Sequence, residues 1–391
     1  MVGILRTNAM GSVRIKAGNA SLQGGATVGV DILIDSAASL TVGDLSATGD
    51  IALRSRTGSL TVGRLIAGDD IVLRAAQGIT ATLLRAGGVE HLGVGDQLFA
   101  GDPTMLGEAF DLQGGVVDVR SAGGAISIGG AEAPGDVRLQ TTGGAVSISG
   151  LVMAGGDILA DGGSVTATGS LTAGRDVALY GRAGGVSVAS IQAGDDIVVW
   201  ASGDVAASGE LKSGQGAAAR GVGDRLLAAT MSTALFGEAT DADGGIIDLR
   251  GAGVRLGGPI TAGGPGARLR LRSTGAATLG DATVSGDIAI DSAGDLTAGA
   301  LRADRDIALR ASGGAIALAS ATAGDDIVLR AAQSVTVSGQ LSAGQGADEA
   351  GAADGLYALG ATTLGGGLDL AGQTIDIASE TGSVTAMGRL M

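Results

Sequence analysis

Apolar and polar positions alternate along this chain in short bursts that recur at a nearly fixed interval. The clearest burst runs from Gly68 to Ala75, GDDIVLRA, and it returns from Gly194 as GDDIVVW and from Gly324 as GDDIVLR. Looser copies start at Gly49 (GDIALR), Gly174 (GRDVALY), Gly286 (GDIAID) and Asp304 (DRDIALR). Each copy opens on a polar turn and continues with apolar residues at every second position. That pattern predicts a short β-strand entered from a tight turn.

The first apolar position of each copy falls at Val13, Ile32, Ile51, Ile71, Val117, Val137, Ile158, Val177, Ile197, Ile247, Leu269, Ile288, Ile307, Ile327 and Ile375. Most steps are 19 to 22 residues, and three are longer, at 46, 50 and 48. Val117 to Ile247 is 130 residues and Ile247 to Ile375 is 128, so five coils and one excursion form a higher-order unit. A fixed short period is the signature of a solenoid. Within a coil, further apolar positions follow at regular offsets, such as Leu60, Val62 and Leu65 after Ile51. Three short strands per coil, with Gly-rich corners at Thr57-Gly58, Ala183-Gly184-Gly185 and Ser312-Gly313-Gly314, account for the period. Glycine suits such corners because it tolerates positive φ.

The expectation is an all-β chain: a single parallel β-helix of about fifteen 19–22-residue coils, continuous over residues 1–391, with excursions at about 84–115, 212–245 and 342–373. Period-two alternation places Ile71, Ile197 and Ile327 inside, and Arg74, Trp200 and Arg330 on the exposed face. The outward column holds Asp35, Asp161 and Asp291 in the third coil of each set, with basic residues beside two of them. That column reads as a solvated face of weak ion pairs, each worth at most about 1 kcal/mol. Helical solenoids are excluded, because no stretch has a 3.6-residue period and Gly interrupts every candidate helix.

Composition agrees. Glycine is 74 of 391 residues without a Gly-X-Y period, and aromatic residues are only 2%, which suits a narrow aliphatic core. The net charge of −15 opposes nucleic-acid binding, which needs a basic footprint, and docking on anionic lipid. Cysteine is absent, which is compatible with export in an unfolded state. Met1 to Met10 has no apolar run, and no stretch is apolar enough for membrane insertion. With no signal peptide visible, an exported chain of this kind is expected to be a fragment of a longer precursor or to have lost its signal.

The first two excursions align, Gly93-Val94-Gly95-Asp96 with Gly221-Val222-Gly223-Asp224. They hold Phe99, Phe110 and Phe236, together with the only histidine, His91, and the third holds Tyr357. Loops on a rigid scaffold commonly bind partners, yet apolar loop residues equally suit a flap packed on a sheet. Surface-contact candidates are therefore Phe99 and Phe236, with Tyr180 and Trp200 as a two-ring platform for sugar stacking.

Catalytic residues are sparse: one His, no Cys, and only Lys16 and Lys212 as lysines. Asp118, Asp161, Asp248, Asp291 and Asp376 are the carboxylates on which a carbohydrate-active β-helix, of polysaccharide lyase or hydrolase type, would draw. Asp118, Asp248 and Asp376 recur at the spacing of the higher-order unit, which points to architecture rather than one active site. The corner pairs Asp69-Asp70, Asp195-Asp196 and Asp325-Asp326 suggest calcium. However, aspartate before a strand commonly bonds local backbone, so neither a metal nor a cofactor is assigned.

The units built on (G)D-[IV]-x-[LV]-x-[AS], then [LVI]-[TS]-[VI], then [LI]-x-A-G, resemble the shaft repeats of filamentous haemagglutinin-like exoproteins of two-partner secretion. The resemblance covers nearly the whole chain outside the excursions. It implies a right-handed β-helix, export through an outer-membrane transporter, and a secreted or cell-surface adhesin that meets host or neighbouring-cell glycans or proteins. The family's secretion domain with its Asn-Pro motifs is not matched: Asn8 and Asn19 are each followed by Ala. The chain therefore resembles internal shaft repeats.

Overall fold

The computed structural model describes residues 5–6, 11–22, 24–88, 93–94, 115–214, 221–223, 245–264, 266–344, 352–353, 356 and 374–391. It is a β-solenoid of parallel strands, and it divides into two units, Met1–Gly184 and Gly185–Met391. Each coil opens with a long strand, which in most coils follows an Asp-bearing turn. In the first unit these are Val13–Ala17, Ile32–Ser36, Ile51–Ser55, Ile71–Ala75, Val117–Ser121, Val137–Thr141, Ile158–Gly162 and Val177–Gly181. In the second they are Ile197–Ala201, Ile246–Gly251, Arg268–Ser273, Asp287–Ser292, Ile307–Ala311, Ile327–Ala331 and Ile375–Ser379. Within each unit, successive long strands pair in parallel at the spacing of about 4.8 Å that such ladders require.

The anchors stack as the pattern predicts. Ile71 is in register with Ile51 on one side and with Val117 on the other, across the first excursion. Ile197 meets Ile247 and Ile327 meets Ile375 across the other two. Strands therefore resume the stack in register after each excursion. The second and third strands of a coil are short, as in Leu40–Val42 and Leu45–Ala47. In several coils they run together into one, as in Leu60–Ile66 and Ile316–Ala323, where three separate strands were expected.

The interior is a dry column of aliphatic side chains. One coil supplies Ile71, Leu73, Ile79, Ala81 and Leu84, all buried, and Ile197 and Ile327 are buried likewise. Each such side chain contributes about 1.5–3 kcal/mol by leaving water. Hydroxyls close the end of the long strand: Ser55 Oγ donates to Ala38 O at 2.8 Å, and Ser292 Oγ to Gly275 O at 2.7 Å.

Two expectations are corrected. Positive φ is not what most corner glycines provide: among the described residues, only Gly264, Gly266 and Gly344 carry it. Gly68 is required by close approach, because a Cβ there would overlap the carbonyl oxygen of Thr48 in the preceding coil. The outward face of the long strands is also solvated only in part: Lys16 and Arg54 are exposed, but other positions are not. Arg74 is 8% exposed and Trp200 6%, while Arg330 is half-buried. Val72, Asp118, Arg138, Leu159 and Val198, all at the second, outward position, are buried too.

The excursions explain part of this covering. Ala352, Ala353 and Leu356 form a buried cluster with the outward residues Ala289, Ala308 and Val328. Val94 and Val222, at matching places in the first and second excursions, are buried as well. Ala352, Ala353 and Leu356 thus pack on the sheet as a flap would. No helix among the described residues is long and apolar enough to cross a membrane.

Candidate functional site

Polar chemistry concentrates in two places: the corner before each long strand and the outward face of that strand. The corner is a ladder of buried aspartates. Alternation points the residue before the first inward aliphatic outward, and the turn brings its carboxylate beneath the backbone of the next coil. Asp31 Oδ1 accepts the N–H of Asp50 at 3.1 Å, and Asp50 Oδ1 that of Asp70 at 3.2 Å. Asp70 Oδ1 accepts the N–H of Val116 at 2.7 Å, across the first excursion. The series repeats from Asp136 to Asp157 (2.8 Å) and from Asp157 to Asp176 (3.2 Å). In the second unit, Asp196 receives Ile246 (2.7 Å), Asp306 receives Asp326 (3.3 Å) and Asp326 receives Thr374 (2.6 Å). These carboxylates were expected to bond within their own turn. They bond instead to the following coil, about 20 residues later in the chain.

Arginines offset part of this charge. Arg175 donates through Nε to Asp157 at 3.0 Å and through Nη2 to Asp136 at 3.1 Å. Burial works against its charge, but the two carboxylates outweigh that and raise its pKa. Asp306 is in the opposite position. Burial, reinforced by Asp287 and Asp326, pushes its carboxyl up to about 7, although N–H bonds from Ala353 and Asp326 pull it down. Its second oxygen accepts the N–H of Ala353 at 2.9 Å, so one aspartate serves both the next coil and the third excursion.

Carboxylate oxygens of Asp50, Asp69 and Asp70 lie within 4.8 Å of one another, as do those of Asp306, Asp325 and Asp326. Three oxygens are fewer than the six to eight that calcium takes. Both oxygens of Asp306 are already engaged by backbone N–H groups. The donor set therefore fits backbone bonding better than it fits a cation.

The outward face carries a recurring cluster where the stack resumes after an excursion. Asp118 accepts Arg74 Nη2 at 2.6 Å from the preceding coil and Arg120 Nε at 3.1 Å from its own strand. Asp248 accepts Trp200 Nε1 at 2.9 Å, and Arg250 Nε and Nη2 at 2.8 and 3.0 Å. The Arg250 guanidinium lies 4.4 Å over the Trp200 ring. Asp376 takes Arg330 in the same manner. Burial makes such pairs stronger than surface pairs, and costly to break singly.

These contacts decide where the sequence candidates stand. Trp200, expected on an exposed face, is buried, with the Arg250 guanidinium over its ring. Tyr180 is half-buried, with the Arg182 guanidinium 5.6 Å from its ring centre, and Arg182 is itself paired with Asp161. Phe99, Phe236, Phe110, Tyr357 and His91 lie outside the described residues. Asp291, with Arg310 at 3.5 Å, completes the set of suggested acids, each of which meets an arginine.

The fold and these clusters define a parallel β-helix whose buried polar groups join coil to coil. Comparison of the chain with protein-family models, with curated proteins and with solved structures finds no match.

Proposed function

We propose that this chain is a structural shaft of a secreted or cell-surface bacterial exoprotein of adhesin type, exported through an outer-membrane transporter and displaying contact surfaces to glycans or proteins of other cells. The observation that carries the reading is the use to which the polar groups are put. The aspartates of the corner ladder accept amide protons of the next coil, and Asp118 and Asp248 hold the arginines and tryptophan of adjacent coils. Among the described residues, the repeated buried carboxylates are engaged in joining one coil to the next, and this supports the structural reading. The repeats, the acidic charge and the absence of cysteine support the export part of the reading.

Attachment tests it. Beads coated with the purified chain, offered to bacterial and epithelial cells and to a glycan array, are expected to bind at least one class of surface. Incubation with a panel of polysaccharides is expected to release no new reducing ends and no unsaturated sugars. Release of either product, in a form abolished by Asp118→Asn or Asp248→Asn, would replace this reading with that of a carbohydrate-active enzyme.

A further inference from the structure

The sequence marks the coils that come just before an excursion. The form GDD occurs at Gly68-Asp69-Asp70, Gly194-Asp195-Asp196 and Gly324-Asp325-Asp326, and in each case the next long strand lies beyond an excursion. Every excursion in turn contains a Gly, two small or β-branched residues and an Asp, at Gly93-Val94-Gly95-Asp96, Gly221-Val222-Gly223-Asp224 and Gly351-Ala352-Ala353-Asp354. The structure brings the two marks together in both units. In the first, Asp50, Asp69 and Asp70 are gathered, and the backbone of Gly93 lies so close that a Cβ there would overlap Asp50 Oδ2. In the second, Asp306, Asp325 and Asp326 are gathered, and Ala353 donates its N–H to Asp306 Oδ2 at 2.9 Å.

All six carboxylates are buried, and within each group their oxygens lie within 4.8 Å of one another. Like charges at that separation, away from water, repel, so a group of this kind takes up a proton more readily than a solvated carboxylate does. The charged groups around Asp306 are Asp287 from the preceding coil, Asp325 and Asp326 from the following one, and, on Asp287, the guanidiniums of Arg268 and Arg305 at 3.7 and 3.6 Å. The described residues of the excursion, Ala352, Ala353 and Leu356, bring no charge, and they cover Ala289, Ala308 and Val328. Burial, with Asp287 and Asp326, accordingly raises the Asp306 carboxyl, and the N–H of Ala353 offsets only part of that.

We propose that Ala352, Ala353 and Leu356 are held on the stack by a proton-linked contact, in which Asp306 takes up a proton when they seat and returns it to water when they lift. Lifting rehydrates the carboxylate, and a hydrated carboxylate ionises at its ordinary value. Seating is therefore strongest below about pH 4 and weakens as pH rises towards about 7. Ala289, Ala308 and Val328 are uncovered in the same step, while the aliphatic column beneath them stays folded. Gly93 over Asp50 is built alike and assigns the first excursion the same kind of contact. The inference goes beyond the adhesin reading and stands without it.

The chain has no cysteine, so a single introduced thiol reports on one place. Leu356→Cys is labelled with iodoacetamide in the native protein between about pH 5 and 8. Each rate is divided by that of the same variant unfolded in urea at the same pH, which removes the titration of the thiol itself. Ala352→Cys, a smaller change, is a second reporter, and Ala298→Cys, buried in the column, reports unfolding of the unit. Protection of the first two thiols is expected to fall about tenfold or more over that range, one pKa unit being a factor of ten, while Ala298→Cys stays protected. Asp306→Asn cannot ionise, and with it protection should hardly change with pH. Four results would each overturn the inference: protection that is level or rises with pH, no protection of either excursion thiol at any pH, an equally steep fall with Asp306→Asn, or loss of protection at Ala298→Cys together with Leu356→Cys. If Asp306→Asn leaves no protection to compare, the contrast between Leu356→Cys and Ala298→Cys decides alone.

Discussion

Trp200 Nε1 donates to Asp248 Oδ1 at 2.9 Å, joining two residues that are neighbours in the stack although 48 positions and an entire excursion separate them in the chain. The contact lies on the outward face of the long strands and is buried. It is therefore a clasp across the place where the solenoid is interrupted. Arg74 with Asp118 and Arg330 with Asp376 hold the corresponding places of the other two interruptions.

Removing the indole N–H tests the clasp. Trp200→Phe keeps an aromatic ring under Arg250 but leaves Asp248 one donor short. The expected loss is about 1.5–3 kcal/mol, as for a hydrogen bond to a charged group, read from urea unfolding. Because Trp200 is the only tryptophan, its fluorescence gives a second check on the native protein. Emission should be blue-shifted and resistant to iodide quenching until the protein unfolds. A ring readily quenched in the native state would contradict its burial.

Glycine at the corners should be needed for close approach rather than for unusual φ. Gly68→Ala forces a Cβ onto the Thr48 carbonyl and is expected to cost about 1–3 kcal/mol, as overpacking does. Gly143→Ala meets only the Gly123 carbonyl oxygen, at 3.8 Å, and should be tolerated. Paired thermal melts of the two variants compare them directly. Equal shifts would mean that the backbone separation between coils is wider than the structure shows.

Asp306 makes stability depend on pH in a specific direction. Its carboxyl is raised from an ordinary value of 3.8 to about 7, first by burial and then by Asp287 and Asp326. Below about pH 4 it is protonated in both folded and unfolded chains, and its contribution to stability is fully present. Between about 4 and 7 the unfolded chain ionises while the folded one keeps its proton, so that contribution is lost as pH rises. Above 7 it is flat. Asp306→Asn should therefore remove part of the decline between pH 4 and 7, measured as denaturant midpoints across that range. An unchanged slope in the variant would show that Asp306 titrates normally.

Damage inside the column should remain local. Ile307→Asp places a charge among Ile288 and Ile327, its partners in register, at a cost of several kcal/mol. Each coil leans mainly on its neighbours. Hydrogen exchange should therefore accelerate in Asp287–Ser292 and Ile327–Ala331, while Ile51–Ser55 keeps its protection. Uniform loss of protection would instead indicate a single cooperative unit.

Much of the fold was legible because a solenoid writes the same instruction repeatedly. Ile51, Ile71 and Val117 share a period-two context, and that alone aligned them across an excursion. What was misjudged sits on the outer face. Arg74 and Trp200 occupy outward positions, and alternation says only that they avoid the column, not that water reaches them. Their burial depends on what lies over the sheet, as Ala353 and Leu356 lie over Ala308 and Val328, and no local pattern encodes that. One signal was available. Val72, Val198 and Val328 are apolar at a position that a solvated face would fill with polar residues. The aspartate ladder was visible as a column, in Asp31, Asp50 and Asp70, but its bonds run between residues about 20 apart. Turn chemistry, which looks only a few residues away, assigned those carboxylates to the wrong partner.

The ladder also has a direction. In every rung the acceptor belongs to the earlier coil and the donor to the later one. Each coil that carries such an aspartate therefore offers an acceptor to the coil that follows it in the chain and takes nothing of the kind in return. The two directions along the stack are chemically different, and a coil excised from the middle would leave a carboxylate bare on one side and an amide bare on the other.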